Sequence, residues 1–289
     1  MCSASFEFTV PSECDGKQAR IFLRKYCRLS AESIKLLKQS PLGICKNGRT
    51  LRTIDNVRTG DIIRITLPTD KNEITPVEGP LDIVYEDGFL LIVNKPCLMP
   101  VHPVKVHQTD TLANIVSYYQ KSRGEEYTFR ALNRLDKDTS GCVMIPKDRI
   151  TYGILRGNID KEYVAVCEGI IEEEGTINAP IGLKSGSKII RETRPDGKSA
   201  VTRYSPIRHS DTHTLLSLHL ETGRTHQIRC HMSSIGHPLA GDDLYGGSLS
   251  LIRHQALQCR KVLWQHPYTQ ESVVVDTGIP EELLKLIEE

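Results

Sequence analysis

Residues 81–96 read "LDIVYEDGFLLIVNKP". Two apolar runs flank Asp87-Gly88, a dipeptide that reverses a chain between strands, so the stretch predicts strand, turn, strand. Further along, "YVAVCEG", "TLLSLHL" and "SVVVDTG" add strands, while "TLANIVSYYQKS" and "THQIRCHMSSIG" carry helical spacing. Strands outnumber helices and do not alternate with them. The expectation for residues 81–289 is therefore an α+β domain: a mixed, largely antiparallel sheet with flanking helices, not a doubly wound one. No internal repeat is visible.

Upstream the texture differs. In "GKQARIFLRKYCRLS", Ile21, Phe22, Tyr26 and Leu29 recur at helical spacing among basic residues, including Arg24 and Arg28. Ser30 is placed to cap a second helix, with Ile34 and Leu37 facing inward, Lys35 and Lys38 outward, and Pro41 as the stop. Asn47-Gly48 then signals a hairpin, and "TGDIIRITLP" reads as a strand after a turn. Residues 1–70 are thus expected to form a small ααβ module. It resembles, loosely, the small RNA-binding module of the S-four ribosomal protein type, in which two helices present basic side chains to phosphates. Ala31 stands where that family often has Arg. Residues 71–80 continue a polar, proline-containing stretch that reads as a linker.

The composition is that of an ordinary globular chain, 39% apolar and 25% charged, with net charge +1. No apolar run approaches the roughly 20 residues of a membrane span. "MCSASFEFTV" lacks the basic region and apolar core of a signal peptide, so a cytoplasmic location is expected. Nine scattered cysteines with no C-x-x-C pair point to reduced thiols, not to disulfides or a zinc site. Between residues 16 and 58, eleven Lys and Arg face only Glu32 and Asp55. That bias marks a polyanion-binding patch or a plain solvated surface.

Two stretches could carry chemistry. In "ALNRLDKDTSGCVMIP", residues 131–146, an extended backbone sets Arg134 and Asp136 on one face and Leu135 on the other. Thr139, Ser140 and Gly141 would supply a tight turn before a buried strand. Asp136 then sits beside a cation, where a carboxylate is held rigid and ionised; the plain alternative is an Asp-rich turn bonding its own backbone. In "LETGRTHQIRCHMSSIGHPLAGDDLYGG", residues 220–247, Thr225 is a candidate N-cap. Ile228, Met232 and Ile235 form an apolar stripe ended by Gly236. Arg229 lies beside that stripe and could reach into a cleft, where a guanidinium near Asp136 would favour the ionised carboxylate. Arg224 flanks the same helix start. His226, His231 and His237 match no zinc spacing, and no metal is expected. Tyr163, in "DKEYVAVCEG", shares a strand face with Ala165 and reads as core by itself.

Together and in order, "FLLIVNKPCLMPVHP", "NRLDKDTSG", "KEYVAV", "GKSAVTRY", "TGRTHQIRCHMSSIGHPLAGDDLYG" and "HPYTQE" closely resemble the RluA-type pseudouridine synthases. The resemblance covers residues 80–285. It implies isomerisation of uridine to pseudouridine in RNA without cofactor, metal or redox change, and RNA, ribosomal or transfer, as the partner of a monomeric enzyme. It maps the essential aspartate onto Asp136, which attacks the ribose or the base or acts as a base. It implies that Tyr163 packs on the flipped base and assists proton removal, that Arg229 pairs with the aspartate, and that Arg134 contacts phosphate or fills the space the base vacates. The basic residues Arg24, Arg28, Lys35 and Lys38, with Arg224, would bind RNA while the base is unstacked, at a cost of a few kcal/mol. Asn133 and Gln258 stand where the family often has His.

Two rivals are weighed. "DKDTSG" is also close to the D-x-D-x-T signature of haloacid-dehalogenase phosphatases, with Asp136 as nucleophile, Asp138 as acid/base and "GDD" at 241–243 for magnesium, but Ser140 takes the place of the final Thr and no βαβ rhythm precedes it. The other rival is an inactive RNA-binding protein of the synthase fold.

Overall fold

The computed structural model describes residues 5–66 and 72–288. Residues 67–71, where the expected module ends and the expected linker begins, lie outside the described residues, as do residues 1–4.

The basic segment begins with β1 (Ser5–Thr9), which the sequence pattern did not announce. Helices α1 (Ala19–Lys25) and α2 (Ala31–Leu37) follow, then β2 (Ile44–Lys46), β3 (Arg49–Thr50) and β4 (Ile62–Thr66). The strands form one antiparallel sheet in the order β1-β4-β2-β3. Asn47 and Gly48 both take positive φ, 50° and 74°, as a two-residue hairpin turn between β2 and β3 requires. Ser30 caps α2 as expected, its hydroxyl accepting from Ser33 N–H at 2.9 Å. The buried face of α1 is Ala19, Phe22 and Leu23, one step round from the anticipated stripe, and Tyr26 is half exposed beyond the helix end.

The larger part runs β5 (Ile83–Glu86), β6 (Leu90–Lys95), α3 (Leu112–Ser122), β7 (Ser140–Pro146), α4 (Arg149–Leu155) and β8 (Ile159–Glu168). It continues with β9 (Gly175–Asn178), β10 (Ile181–Leu183), β11 (Arg191–Thr193), β12 (Val201–His209) and β13 (His213–Leu220). It closes with α5 (Gln227–Ser234), β14 (Leu257–Gln265), β15 (Ser272–Asp276) and α6 (Glu281–Lys285). Nine strands make the main sheet, in the order β5-β6-β7-β14-β8-β13-β12-β9, with β15 added along β14. Its pairs are antiparallel except β7 with β14. This is the mixed, largely antiparallel α+β architecture that the strand pattern predicts. No described helix is long and apolar enough to cross a membrane.

Strand β8 is covered on both sides. Tyr163, Ala165 and Cys167 join the large core beneath α3 and α5, whereas Val164 and Val166 pack with Leu283 and Leu286 from the C-terminal end. At the β7–β14 contact, Gly141 has φ 107°, and a Cβ there would lie 2.3 Å from the Cys259 carbonyl oxygen, so only glycine fits.

The basic segment is docked on the main sheet. Ile150 and Ile154 of α4 belong to its hydrophobic core. Phe6 stacks on Tyr268 with ring centroids 5.5 Å apart, and Tyr268 lies 4.1 Å from Phe89. Asp148 caps α4 through Ile150 N–H and Thr151 N–H at 2.7 and 2.8 Å, and the Thr151 hydroxyl lies 3.2 Å from Tyr268 Oη.

Candidate active site

Asp136 sits in the irregular segment leading into β7. The turn lies at Lys137-Asp138, where Thr139 N–H donates to the Asp136 carbonyl at 3.1 Å, two residues earlier than the Thr139–Gly141 turn the sequence suggested. Three buried polar side chains hold this segment. Asn133 donates to the Cys142 carbonyl at 2.7 Å and accepts from Met144 N–H at 3.0 Å, which stitches the segment to β7. Gln255 donates to Thr139 Oγ1 at 2.7 Å. Lys95 directs its ammonium at the carbonyls of Pro96, Met99 and Lys137, at 2.8, 2.8 and 3.0 Å. A buried ammonium with three carbonyl partners is a brace, and its burial pulls the Lys95 pKa down to about 8.

Arg229 enters from α5. Its Nε and Nη2 donate to Asp242 at 2.7 Å each, and its Nη1 donates to Asp136 Oδ2 at 3.1 Å. The Asp242 side chain is fully buried, Arg229 nearly so, and Asp136 is 30% exposed. The fork fixes the guanidinium plane, so its third donor is aimed before any ligand arrives. The two carboxylates raise the Arg229 pKa against its burial. Tyr245 underlies the guanidinium, 5.0 Å from ring centroid to Cζ.

His226 adds a second donor. It is the N-cap of α5 in place of Thr225, with φ 57° and no side-chain cap, and its Nε2 lies 3.6 Å from Asp136 Oδ2. Its Nδ1 is 2.9 Å from Tyr245 Oη, which already accepts from Arg191 N–H. With Nδ1 engaged by the phenol, Nε2 is the ring nitrogen that faces Asp136. Burial holds this imidazole below its ordinary pKa, so it is neutral at pH 7.

Of the residues singled out from sequence, Asp136 and Arg229 meet directly. Tyr163 is buried on the core face of β8, and burial, with the nearby Asp136 charge, pushes its phenol well above the usual range. Arg134 is exposed and lines a cleft with His102, Arg149 and Arg156. Arg224 is exposed, with its Nε donating to the Ser199 carbonyl at 2.9 Å. Arg24 and Arg28 lie along a second cleft beside α4, and Lys35 and Lys38 along a third on the basic segment.

The three histidines do not converge. His231 is buried between Thr202 Oγ1 and the Ala179 carbonyl, and His237 meets the Glu168 carbonyl. Among the described residues, Cys97, His254 and Glu282 come closest to a ligand set. The thiol faces His254 Nδ1 at 3.6 Å and the carboxylate faces Nε2 at 3.4 Å, opposite edges of one ring, which does not suit a single ion. Asp242, His226, Tyr245 and Lys95 were missed as site residues. Only the "GDD" of 241–243 hinted at Asp242, and that hint pointed to magnesium. The phosphatase signature also fails structurally: residues 136–139 lead into β7, which pairs antiparallel with β6, instead of following a parallel strand.

Residues 89–234 match the family model described as RNA pseudouridylate synthase. The chain is 40% identical over 239 residues to "Uncharacterized RNA pseudouridine synthase YhcT" of Bacillus subtilis (strain 168), covering 80% of this chain and 79% of that one. It is 36% identical over 232 residues to "Ribosomal large subunit pseudouridine synthase D" of Escherichia coli (strain K12), covering 74% and 71%. The solved structure of "Human RNA Pseudouridylate Synthase Domain Containing 1" superposes with a TM-score of 0.57 at 26% identity, covering 69% of this chain and 83% of that one.

Proposed function

This chain belongs to the RNA pseudouridylate synthase family, and from that premise we propose that it isomerises specific uridines in structured RNA, ribosomal RNA first, with Asp136 as the essential catalyst. The reading rests on one observation above others: a partly exposed aspartate, gripped at 3.1 Å by an arginine that a buried carboxylate holds in place. Arg229 and His226 both face Oδ2, which leaves Oδ1 directed to the nucleotide. In the reaction the bond from base N1 to ribose C1′ breaks, the uracil rotates, and C5 bonds to C1′. The C5 proton is lost and N1 gains one, so no redox partner or energy source is consumed. Asp136 meets the reacting nucleotide, with Arg229 holding its carboxylate in place. Tyr163 packs against the extruded base and assists loss of the C5 proton, and Arg134 takes backbone phosphate.

Residues 1–70 act as the RNA-holding module, 71–80 as its linker and 81–289 as the catalytic domain, in a monomeric cytoplasmic enzyme. Arg24, Arg28, Lys35, Lys38 and Arg224 contribute phosphate contacts that position without reading sequence. Ribosomal RNA is favoured over transfer RNA because several similar proteins are named ribosomal large subunit pseudouridine synthase D.

The test maps pseudouridine in total RNA from cells carrying the intact chain or Asp136→Asn, followed by purified protein on ribosomal and transfer RNA transcripts. A uridine converted only by the intact chain supports the proposal. RNA binding without any conversion would leave the inactive RNA-binding reading in its place.

A further inference from the structure

The clefts that hold the basic residues are joined. Arg134, Arg149 and Arg156 line a cleft of about 650 Å³ between the segment before β7, helix α4 and the start of α2. This cleft shares Ser30 and Gly153 with a larger one, about 980 Å³, edged by Arg24 and Arg28. That second cleft shares Arg24 with a third, lined by Arg20, Lys35 and Lys38. Cations thus run from Arg134, two residues before Asp136 in the chain, over α4 and onto the basic segment, and the acidic residues along the way are Glu32 and Asp160.

Three arginines on this path hold no carboxylate. Elsewhere Arg52, Arg64, Arg194, Arg203 and Arg260 each hold a carboxylate. Among the described residues, Arg134, Arg149 and Arg156 pair with none, and all three are exposed. Arg156 rests over the Tyr152 ring at 5.9 Å. Unpaired, exposed arginines gathered in one groove repel one another, an arrangement that a polyanion relieves. The path also crosses a packed contact. Its two sides are fastened by the Phe6–Tyr268–Phe89 stack, by Ile150 and Ile154 in the core of the basic segment, and by Arg28 donating to Gln270 at 3.2 Å.

Resting on the synthase reading above, we infer that Arg149 and Arg156 of α4 are RNA phosphate-binding residues, the middle of a single track that carries the strand leaving the catalytic cleft onto the docked basic segment. The track adds affinity without reading sequence. Because its parts are held in one body, contacts at both ends engage the same RNA at high effective concentration.

The experiment measures affinity for a fluorescently labelled, uridine-containing RNA hairpin from about 50 to about 200 mM salt. The chains compared are wild type, the double variant Arg149→Gln/Arg156→Gln, and Arg208→Gln as a control on exposed β12, with melting curves to check folding. Each phosphate contact accounts for about a 3.5-fold loss of affinity over that range, so the double variant should lose about tenfold less than wild type between the two salts. It should also bind more weakly at the lower salt, while the control keeps wild-type values. A double variant with wild-type affinity and salt slope overturns the track. Pseudouridine formation is assayed separately: a reduced slope with no product supports the track while sinking the synthase proposal, and full product with an unchanged slope sinks the track alone.

Discussion

Arg229 reaches Asp136 with one nitrogen only, because the other edge of its guanidinium is committed to Asp242, at 2.7 Å on both contacts. The surface aspartate is therefore positioned by a carboxylate it never touches. Asp136→Asn keeps the size of the side chain and an acceptor for Arg229 but removes the charge. We expect product formation to fall by about 10⁴-fold or more, the scale seen when a central catalytic group is lost. The melting temperature should move by no more than a few degrees, as for an exposed position. Residual activity within tenfold of wild type, measured by pseudouridine mapping in vitro, would contradict the assignment.

Removing Asp242 should be worse for the fold than removing Asp136. Asp242→Ala leaves Arg229 buried with a single, partly exposed partner, and breaking a buried pair from one side costs about 3–5 kcal/mol. Denaturant unfolding would show a lower midpoint, with catalysis reduced even where the variant remains folded. A midpoint equal to that of wild type would mean the fork is not the support described.

Lys95→Met tests the brace beneath the turn that carries Asp136. The variant leaves the Pro96, Met99 and Lys137 carbonyls without their shared donor, at a cost of about 1–3 kcal/mol for each that water does not reach. The expected signature is a lower kcat with KM held, since the turn carrying Asp136 loosens while the phosphate contacts persist. A raised KM with kcat intact would place Lys95 in RNA binding instead.

Histidine titration gives a pH test with a definite sign. Burial lowers the pKa of both His226 and His231 from the ordinary 6.5, against the pull of Asp136 on the first and the Ala179 carbonyl on the second. The unfolded chain thus binds more protons than the folded one just below pH 6.5. Stability from these groups is complete above that pH and is lost as the pH falls through the folded values. NMR should show both rings titrating below the ordinary range, with unfolding easier at pH 5 than at pH 7. Either ring titrating above 6.5 would be inconsistent with its burial.

Much of this was readable before folding. Ser30 as a cap, Asn47-Gly48 as a hairpin turn, Asp87-Gly88 between β5 and β6, and the inward Ile34 and Leu37 all stand where local pattern puts them. The misreadings are local as well. Thr225 lost the cap of α5 to His226, because the chain enters that helix through a left-handed residue that places the imidazole beside Asp136. The stripe on α1 was misjudged because Tyr26, apolar by type, falls past the helix end. Asn133, which looked like a departure from the family pattern, is a buried clamp between its own segment and β7.

Asp136 and Arg229 could be named from the sequence, because short-range pattern and the family motifs each mark a single residue. Their meeting could not, being a contact across 93 positions, nor could the choice of Asp242 over its neighbour Asp243 as the second partner. Periodicity, caps and turns depend on residues a few steps apart, and those the sequence by itself determined. Which charges share a buried site, and whether the arginines of α4 continue the basic surface of α1 and α2, depends on how the sheet and the docked segment pack. Only the tertiary structure decided that, since desolvation and Coulomb attraction act on distance in space and not along the chain.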